Sequence, residues 1–382
     1  MSARTLYMWQ YGMCITYCLK FKKIEDFFVA NGYELVSDPA QASLIIVGTC
    51  ASFIPFLERY AKKIREVNGA PGTLVVYGCL PFIDPKFYKE TSMNVHLLVH
   101  PNMPEKMAGL IEDAEVPWSA IPEPSDFRTE DHDGPVLANK RYITIQDGCS
   151  ENCAFCPHRL AIGRPRSRLL DEILTQVSHD LSSGATIVAI EGNDPGAWGT
   201  DLVPPRTFPE LVHSVRELDG SFEIYIGNLA PKWVIAYGDS LLGCGIRDLK
   251  VPVQSSSSRL LGVVGRDPAV REIAPILKRL RASDARIRLR TEIIIGLPTE
   301  TDDEFLNTLD FVAENFDRVA CYTFDYHPRT AIGDMDLPFV DDAVMERRVM
   351  WAMDYFKTRP EIEACFDMGG RVLQECVSRR GE

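Results

Sequence analysis

Residues 149–156 read Cys149-Ser-Glu-Asn-Cys153-Ala-Phe-Cys156, a CxxxCxxC pattern that directly follows a strand-like run at 142–145. Thiolates are soft ligands that suit iron–sulfur clusters, and ligands this close in sequence can wrap one cubane from a single loop. A zinc knuckle, the alternative, is expected to show two CxxC-like pairs rather than a lone trio. Because three thiolates bind only three of the four irons in a [4Fe–4S] cluster, the pattern predicts one open iron.

Strand-like runs alternate with helical patterns over residues 139–340, which form one predicted domain. This alternation is typical of a parallel (β/α) barrel or part of one. The six predicted strands are residues 142–145, 187–190, 223–226, 249–253, 288–295 and 319–324. A C-terminal segment, 341–382, offers one predicted helix at 343–357, and its last 25 residues show little pattern.

A second α/β pattern occupies residues 1–111. Alternation of strands with helical spacing indicates βαβ units and a parallel sheet. The predicted strands are residues 5–11, 43–47 and 73–77, and the predicted helices are 21–31 and 56–67. Residues 112–138 carry four prolines among acidic residues and are predicted to form a linker.

Three more cysteines follow the predicted strands of the first domain. Cys14, Cys50 and Cys79 each come just after a strand, and a glycine precedes each of them within two residues. Because the carboxyl ends of parallel strands open on one edge of a sheet, we expect the three thiols to converge. Glycine permits the tight backbone that a cluster loop needs. The alternative is three buried cysteines that serve as small hydrophobic residues.

Composition narrows the class of protein. The chain has 382 residues, 46% of them hydrophobic and 25% charged, which is ordinary for a globular protein of two domains. No membrane span or signal peptide is recognisable, so we expect a cytoplasmic protein with no membrane partner, whose 11 cysteines need a role other than disulfide formation. A formal charge of −13 disfavours nucleic acid as a partner, because an acidic surface repels phosphate backbones.

Together, the two cysteine trios resemble the methylthiotransferase branch of the radical S-adenosylmethionine (SAM) superfamily, whose members modify tRNA or a ribosomal protein. The likeness runs from about Arg4 to Arg329 and rests on the order of the cysteines and on further matches along the barrel. The matched segments are residues 163–168, 252–255, 291–298 with Glu300 and Thr301, and 326–329.

The resemblance implies a flavodoxin-like, parallel-sheet N-terminal domain followed by a partial (β/α)6 TIM-like radical SAM barrel. It implies two [4Fe–4S] clusters, an auxiliary one held by Cys14, Cys50 and Cys79 and a SAM-binding one held by Cys149, Cys153 and Cys156. The residues implied around SAM are Glu191, Gly192, Asn193, Gln254, Arg290, Glu292, Gly296 and Arg168. For 191–194 an ordinary βα turn, and for 164–168 a solvated loop, are the alternatives. No catalytic side chain is assigned.

In such enzymes an electron donor such as flavodoxin or ferredoxin reduces the SAM-bound cluster, and cleavage of SAM produces a radical that removes hydrogen from an unactivated C–H bond. Sulfur or a methylthio group from the auxiliary cluster then forms a C–S bond. The cofactors supply the difficult chemistry, and the protein holds the reacting atoms together.

The chain also departs from the family. A TRAM domain, a small RNA-binding β-barrel, commonly ends these proteins, but the 25 residues after the last predicted helix are too few for one. Met13, Gly48 and Thr299 stand where the family commonly has other residues. We therefore expect a non-tRNA substrate, a small molecule or a peptide.

Three alternatives stay open on sequence grounds. The auxiliary cluster relays electrons or anchors substrate without donating sulfur; the chain is a tRNA methylthiotransferase; or it is a non-enzymatic iron–sulfur sensor or scaffold. Retention of the barrel motifs beside the cluster loop disfavours the last.

Overall fold

The computed structural model describes residues 4–50, 54–86, 94–127, 139–327 and 329–367. The chain divides into two compact units: unit 1 is Met1–Tyr142 with Pro157–Gly163, and unit 2 is Ile143–Cys156 with Arg164–Glu382. The seven residues after Cys156 therefore fold with unit 1, although both flanking segments belong to unit 2. Across the described ranges, no helix combines the length and apolar character needed to cross a membrane.

Unit 1 is built on a five-stranded parallel sheet in the order β2-β1-β3-β4-β5. This is the flavodoxin-like order, which confirms the predicted class of this domain. Its strands are β1 (Thr5–Gln10), β2 (Glu34–Leu35), β3 (Leu44–Thr49), β4 (Thr73–Gly78) and β5 (Leu97–Val99), and its helices are α1 (Ile15–Ala30), α2 (Ile54–Val67), α3 (Leu80–Ile83) and α4 (Arg159–Ile162).

The central strand β3 is buried along its whole length, as expected for a parallel strand covered on both faces. β2 and β5 were not predicted, because two or three residues are too short to show a period. Helix α1 begins at Ile15 rather than at the predicted residue 21. Its first turn contains Thr16 and Tyr17, which are buried together with the apolar residues of the helix although both carry a hydroxyl group.

The first half of the predicted linker lies against α1 rather than extending freely. The Trp118 ring packs on Phe27 at 5.4 Å between ring centroids, and the Asn31 side chain bonds both the N–H and the carbonyl of Val116. The composition of this segment indicated irregular backbone, but it could not show which of its apolar residues pack against unit 1. Residues 128–138 of the predicted linker lie outside the described residues.

Unit 2 contains an eight-stranded sheet in the order β13-β12-β11-β10-β9-β8-β6-β7. Apart from the short antiparallel pair β6–β7, the pairings described for this sheet are parallel. Its strands are β6 (Lys140–Asp147), β7 (Arg166–Ser167), β8 (Ile187–Gly192), β9 (Glu223–Ile226), β10 (Ile246–Lys250), β11 (Arg288–Ile295), β12 (Arg318–Thr323) and β13 (Glu363–Asp367). Parallel strands with intervening helices confirm the predicted partial barrel class.

From β7 onward, at least one helix separates each strand of unit 2 from the next, and two helices follow β10. The helices of unit 2 are α5 (Leu170–Ser182), α6 (Phe208–Arg216), α7 (Pro231–Tyr237), α8 (Ser258–Val263), α9 (Ile273–Ser283), α10 (Asp302–Asn315) and α11 (Asp342–Lys357). One core joins their apolar faces to one face of the strands, with Phe208, Leu277 and Phe305 among its buried residues. The strands β9 and β11 have the predicted bounds.

Two predictions for this sheet were wrong. β10 spans Ile246–Lys250, not 249–253, because Pro252 has no N–H to continue a ladder, and only an isolated bridge at Gln254 resumes the pairing. The tail contains β13, which pairs in parallel with β12, where the sequence showed little pattern. Residues 368–382 lie outside the described residues.

Strand β11 alternates between two faces, and the face turned away from the helices is charged. Leu289 and Ile293 join the core, while Arg290 and Glu292 project from the opposite face. Arg290 pairs with Asp248, Nε to Oδ1 at 2.6 Å, and Glu292 pairs with Lys250, Oε2 to Nζ at 2.6 Å. Two matched ion pairs therefore lie on this face of β10 and β11.

A buried ion pair attaches α11 to the loop after β11. The Arg348 and Glu300 side chains are 3% and 1% exposed, and their closest N and O atoms are 2.9 Å apart. Glu300 also accepts the Gly296 N–H at 2.8 Å, and Arg348 donates to the Glu300 carbonyl. Burial raises the pKa of Glu300 to about 7, against the opposing influence of the Gly296 N–H and the Arg348 guanidinium.

Replacing Arg348 tests this attachment. Arg348→Met should lower the free energy of unfolding by about 3–5 kcal/mol, because it leaves a buried carboxylate without its partner. The loss should be larger above about pH 7 than below it, since Glu300 with its raised pKa is neutral at the lower pH. Urea denaturation is the measurement. Arg347→Met, which removes an exposed pair with Asp302, is the control and should cost at most about 1 kcal/mol; equal losses would contradict the assignment.

Candidate cluster and cofactor sites

The loop that carries Cys149, Cys153 and Cys156 follows β6 and is held by backbone bonds on both sides. The Ala154 N–H donates to the Val264 carbonyl at 2.8 Å, and the Ile332 N–H donates to the Ala154 carbonyl at 3.0 Å. Ala154 also belongs to a small buried cluster with Val264 and Ile332. The loop is therefore fixed at its middle by two distant parts of unit 2.

A buried carboxylate fixes the start of the same loop. Asp194 is 4% exposed, and its Oδ2 accepts both the backbone N–H and the hydroxyl of Ser150. Its Oδ1 accepts the Trp233 indole N–H at 2.7 Å, and its own N–H donates to Gln146 Oε1. Lys232 bonds the Ser150 hydroxyl at 2.9 Å and pairs with Glu151. These contacts hold the first turn of the loop from outside.

The three thiols of the loop lie near enough to influence one another electrostatically, and their chemistry suits a cluster. Cys149 interacts electrostatically with Cys153 and Cys156, and burial together with Asp194 raises its pKa to about 12. Burial also raises the pKa of Cys153, whereas the Arg266 guanidinium, 3.6 Å from its sulfur, opposes that rise. The donor set is soft, and a guanidinium next to it favours thiolate.

No group of three or more Cys, His, Asp or Glu side chains in the described ranges could hold a single metal ion. This does not conflict with a cubane, because each thiolate of a cubane binds a different iron and the ligands therefore stand farther apart than those of one ion. The residues present fit a cluster better than they fit zinc.

In unit 1, Cys14, Cys50 and Cys79 follow β1, β3 and β4, which are neighbours in the sheet. Their loops pack closely against one another. A Cβ on Gly78 would lie 2.0 Å from the Thr49 carbonyl oxygen, and one on Gly48 would lie 2.7 Å from the Met13 sulfur. Glycine at these two positions lets the loops approach each other.

Tyr60, fully buried on α2, lies among these loops. Its hydroxyl donates to the Tyr11 carbonyl at 2.6 Å and accepts the Cys50 N–H. Burial, followed by the nearby Cys50 and Cys79 thiols, raises the pKa of this phenol well above its ordinary value. Three soft donors on adjacent loops of one sheet edge fit a second cluster.

Residues 191–193, which sequence associates with SAM, lie beside the cluster loop. Asn193 Oδ1 accepts the Gly148 N–H at 3.0 Å, and a Cβ on Gly192 would lie 3.1 Å from the Gln146 carbonyl oxygen. Glu191 packs over Gly227, where a Cβ would lie 2.2 Å from its carboxylate oxygen. Asn193 and Gly192 thus shape the turn that leads into Cys149.

The other residues expected around SAM occupy three different environments. Gln254 has a φ of 65° and donates to Glu292 at 3.4 Å, while Arg290 and Glu292 form the ion pairs described above. Gly296 has a φ of 87° and packs under Met345. Arg168 donates to the Thr144 carbonyl and to Gln176. Of the matched segment 326–329, Pro328 lies outside the described residues.

Several residues of the site were not found from the sequence. Asp194 was noted only as part of a turn, and Lys232, Arg266 and Lys250 were not singled out, because isolated charged residues carry no spacing signal. His158 stands two positions after Cys156 in the sequence, but its imidazole Nε2 lies 3.9 Å from the Cys50 sulfur, more than a hundred positions away. Only the folded chain brings these groups together.

Comparison with known proteins gives the family. The radical SAM superfamily pattern matches residues 143–312. The chain is 30% identical over 359 residues to the tRNA-2-methylthio-N(6)-dimethylallyladenosine synthase of Aquifex aeolicus, and the alignment covers 85% of this chain and 78% of that protein. It is 28% identical over 368 residues to the ribosomal protein uS12 methylthiotransferase RimO of Anaeromyxobacter sp. (strain K), which covers 92% and 77%.

A solved structure shares the fold. The radical SAM methyltransferase TsrM of Kitasatospora setae has a TM-score of 0.60 at 13% identity, with 84% of this chain and 73% of that chain covered. These matches confirm the resemblance drawn from the two cysteine trios, and they confirm a radical SAM enzyme of the sulfur- or methylthio-transferring class. The chain belongs to the radical SAM superfamily and, within it, to the methylthiotransferase family.

Proposed function

We propose that this enzyme forms a C–S bond at an unactivated C–H of its substrate and uses two [4Fe–4S] clusters, one in each unit. The observation that carries the proposal is the pair of cysteine trios, one after neighbouring parallel strands of unit 1 and the other directly after β6 of unit 2. The family implies SAM and the cluster at Cys149, Cys153 and Cys156. The second cluster, at Cys14, Cys50 and Cys79, is supported by the adjacency of their three strands.

Transfer RNA is the acceptor class that we propose. One of the relatives named above is a tRNA-modifying synthase, and another is a uS12 methylthiotransferase. Both names refer to macromolecules, so they do not favour the small substrate expected from the sequence. The charge of −13 argued against RNA, but net charge describes the whole surface, whereas RNA binding needs only a local basic region.

When bound, SAM and the clusters supply the one-electron chemistry and the sulfur. The protein contributes position and electrostatics. Asp194, Ser150 and Asn193 hold the entry to the cluster loop, and Arg266 places a positive charge beside the Cys153 sulfur. Glu292, held ionised by Lys250, offers a fixed carboxylate on the inner face of the barrel: despite burial, which acts to raise it, its pKa lies below the ordinary value.

Single cysteine variants test the two-cluster proposal. After anaerobic reconstitution, the native chain should bind about eight irons, and Cys50→Ala and Cys149→Ala should each bind about four. Cys50→Ala should retain some cleavage of SAM to 5′-deoxyadenosine but form no C–S bond, whereas Cys149→Ala should lose both. Iron analysis and mass spectrometry of the products are the measurements.

Cys244→Ala is the matched control, because Cys244 is also buried but has no second cysteine at ligand-like spacing. It should keep the full iron content and both activities. A native chain that binds only four irons, or a Cys50→Ala variant that still forms the C–S bond, would contradict the proposed role of the auxiliary cluster.

Asp194→Asn tests how the cluster loop is held. The amide of asparagine would turn its own N–H donors toward the Ser150 N–H or the Trp233 indole N–H. Two donors then face each other without an acceptor, so the first turn of the loop should loosen. Loss of such a supporting partner should lower SAM cleavage about 10–100-fold. The control is Asp201→Asn, because Asp201 also accepts a serine N–H and hydroxyl, those of Ser167, on an exposed loop. Equal rates for the two variants would show that Asp194 has no special role.

The acceptor is tested by direct competition. Reduced enzyme with SAM is incubated with unmodified tRNA, with uS12 or with both, and nucleosides and peptides are analysed by mass spectrometry. We expect a methylthio-adenosine product from tRNA and no change in uS12. Modification of uS12 alone, or of neither, would overturn the assignment of tRNA.

A further inference from the structure

The segment that follows Cys156 belongs to unit 1 and is fixed there by a polar side chain. Asn102, which is 8% exposed, donates through Nδ2 to the Ile162 carbonyl at 2.6 Å and accepts the Tyr17 hydroxyl at 3.0 Å through Oδ1. Helix α4 also lies against α3, the helix that begins directly after Cys79. The position of His158, the residue before α4, is therefore set by unit 1.

His158 directs its imidazole at one of the three cysteines of the proposed auxiliary site. Nε2 lies 3.9 Å from the Cys50 sulfur, within hydrogen-bond reach for sulfur, and Cys50 itself is 3% exposed. A free thiol can donate or accept, but a thiolate bound to iron has no proton and can only accept. In the loaded site the imidazole N–H must therefore be the donor.

The Cys50 backbone is restrained from the other side. Its N–H donates to the Tyr60 hydroxyl, which in turn donates to the Tyr11 carbonyl. Because Tyr60 is completely buried, this chain of bonds gives Cys50 little freedom to move away from His158. The contact between sulfur and imidazole is thus supported by packing on both sides.

We propose that His158 is a positioning residue that donates a hydrogen bond to the Cys50 sulfur of the auxiliary cluster and raises the reduction potential of that cluster. Hydrogen bonds to ligand sulfurs stabilise the more negative, reduced cluster, and they are one of the means by which proteins set its potential. The inference rests on the proposed function, since it requires the second cluster.

The test isolates the auxiliary cluster in the full-length chain. A variant with Cys149, Cys153 and Cys156 all changed to Ala, reconstituted without oxygen, should hold about four irons from one cubane. In this background, His158→Phe removes the N–H donor but keeps an aromatic ring, and His158→Gln keeps a donor at similar reach. His96→Phe is the control, because His96 is an exposed histidine of the same unit. Redox titration followed by electron paramagnetic resonance measures the potential.

We expect His158→Phe to keep its iron and to titrate at a more negative potential, whereas His158→Gln and His96→Phe should titrate close to the parent. Electron paramagnetic resonance in H2O and in D2O should also detect magnetic coupling between the reduced cluster and an exchangeable proton. This coupling should weaken only in His158→Phe. An unchanged potential with intact iron would overturn the role of His158 alone. Loss of iron in His158→Phe would make the imidazole a ligand rather than a donor, and a parent without iron would overturn the auxiliary cluster together with this inference.

Discussion

The tight loop of residues 149–156, which we propose holds a cluster, takes the partners of several of its backbone groups from elsewhere in the fold, and this constraint explains most of its surroundings. Backbone groups left without partners inside a protein are costly, so partners must come from elsewhere in the fold. Asp194 supplies them to the first turn, and Val264 and Ile332 supply them to the middle. The loop therefore depends on the turn after β8, on the end of α8 and on the segment after β12, and each of these must fold for the thiols to converge.

The charged residues on the inner face of the barrel obey the same constraint, because a buried charge also needs a partner. Arg290 with Asp248, and Glu292 with Lys250, place opposite charges on adjacent strands, so that neither strand buries an uncompensated ion. Two of these four residues had been associated with SAM from the sequence. Their ion pairs give them fixed orientations, and a ligand that enters the barrel meets side chains whose positions are already set.

Sequence patterns predicted the elements whose residues alternate or cluster, and they failed where tertiary contacts decide. The strand-like runs at 223–226 and 288–295 gave the bounds of β9 and β11, whereas β10 was misplaced because the apolar run around Val251 continues beyond the last paired residue, Lys250. Spacing, and glycine next to strand ends, pointed to the six cysteines, whose role as cluster ligands stays a prediction. The parts played by Asp194 and His158 could not be predicted, because each depends on a partner distant in sequence.

The strand β13 has a consequence for how the protein behaves in concentrated solution. Without it, β12 would present a row of unpaired N–H and C=O groups to any other chain with a free strand. β13 covers that row and is the outermost strand of this sheet within the described residues. It is only five residues long, and its first residue, Glu363, forms ion pairs with Arg288 and Arg318. A short, charged border of this kind discourages edge-to-edge aggregation, so β13 helps to keep separate copies of the chain apart.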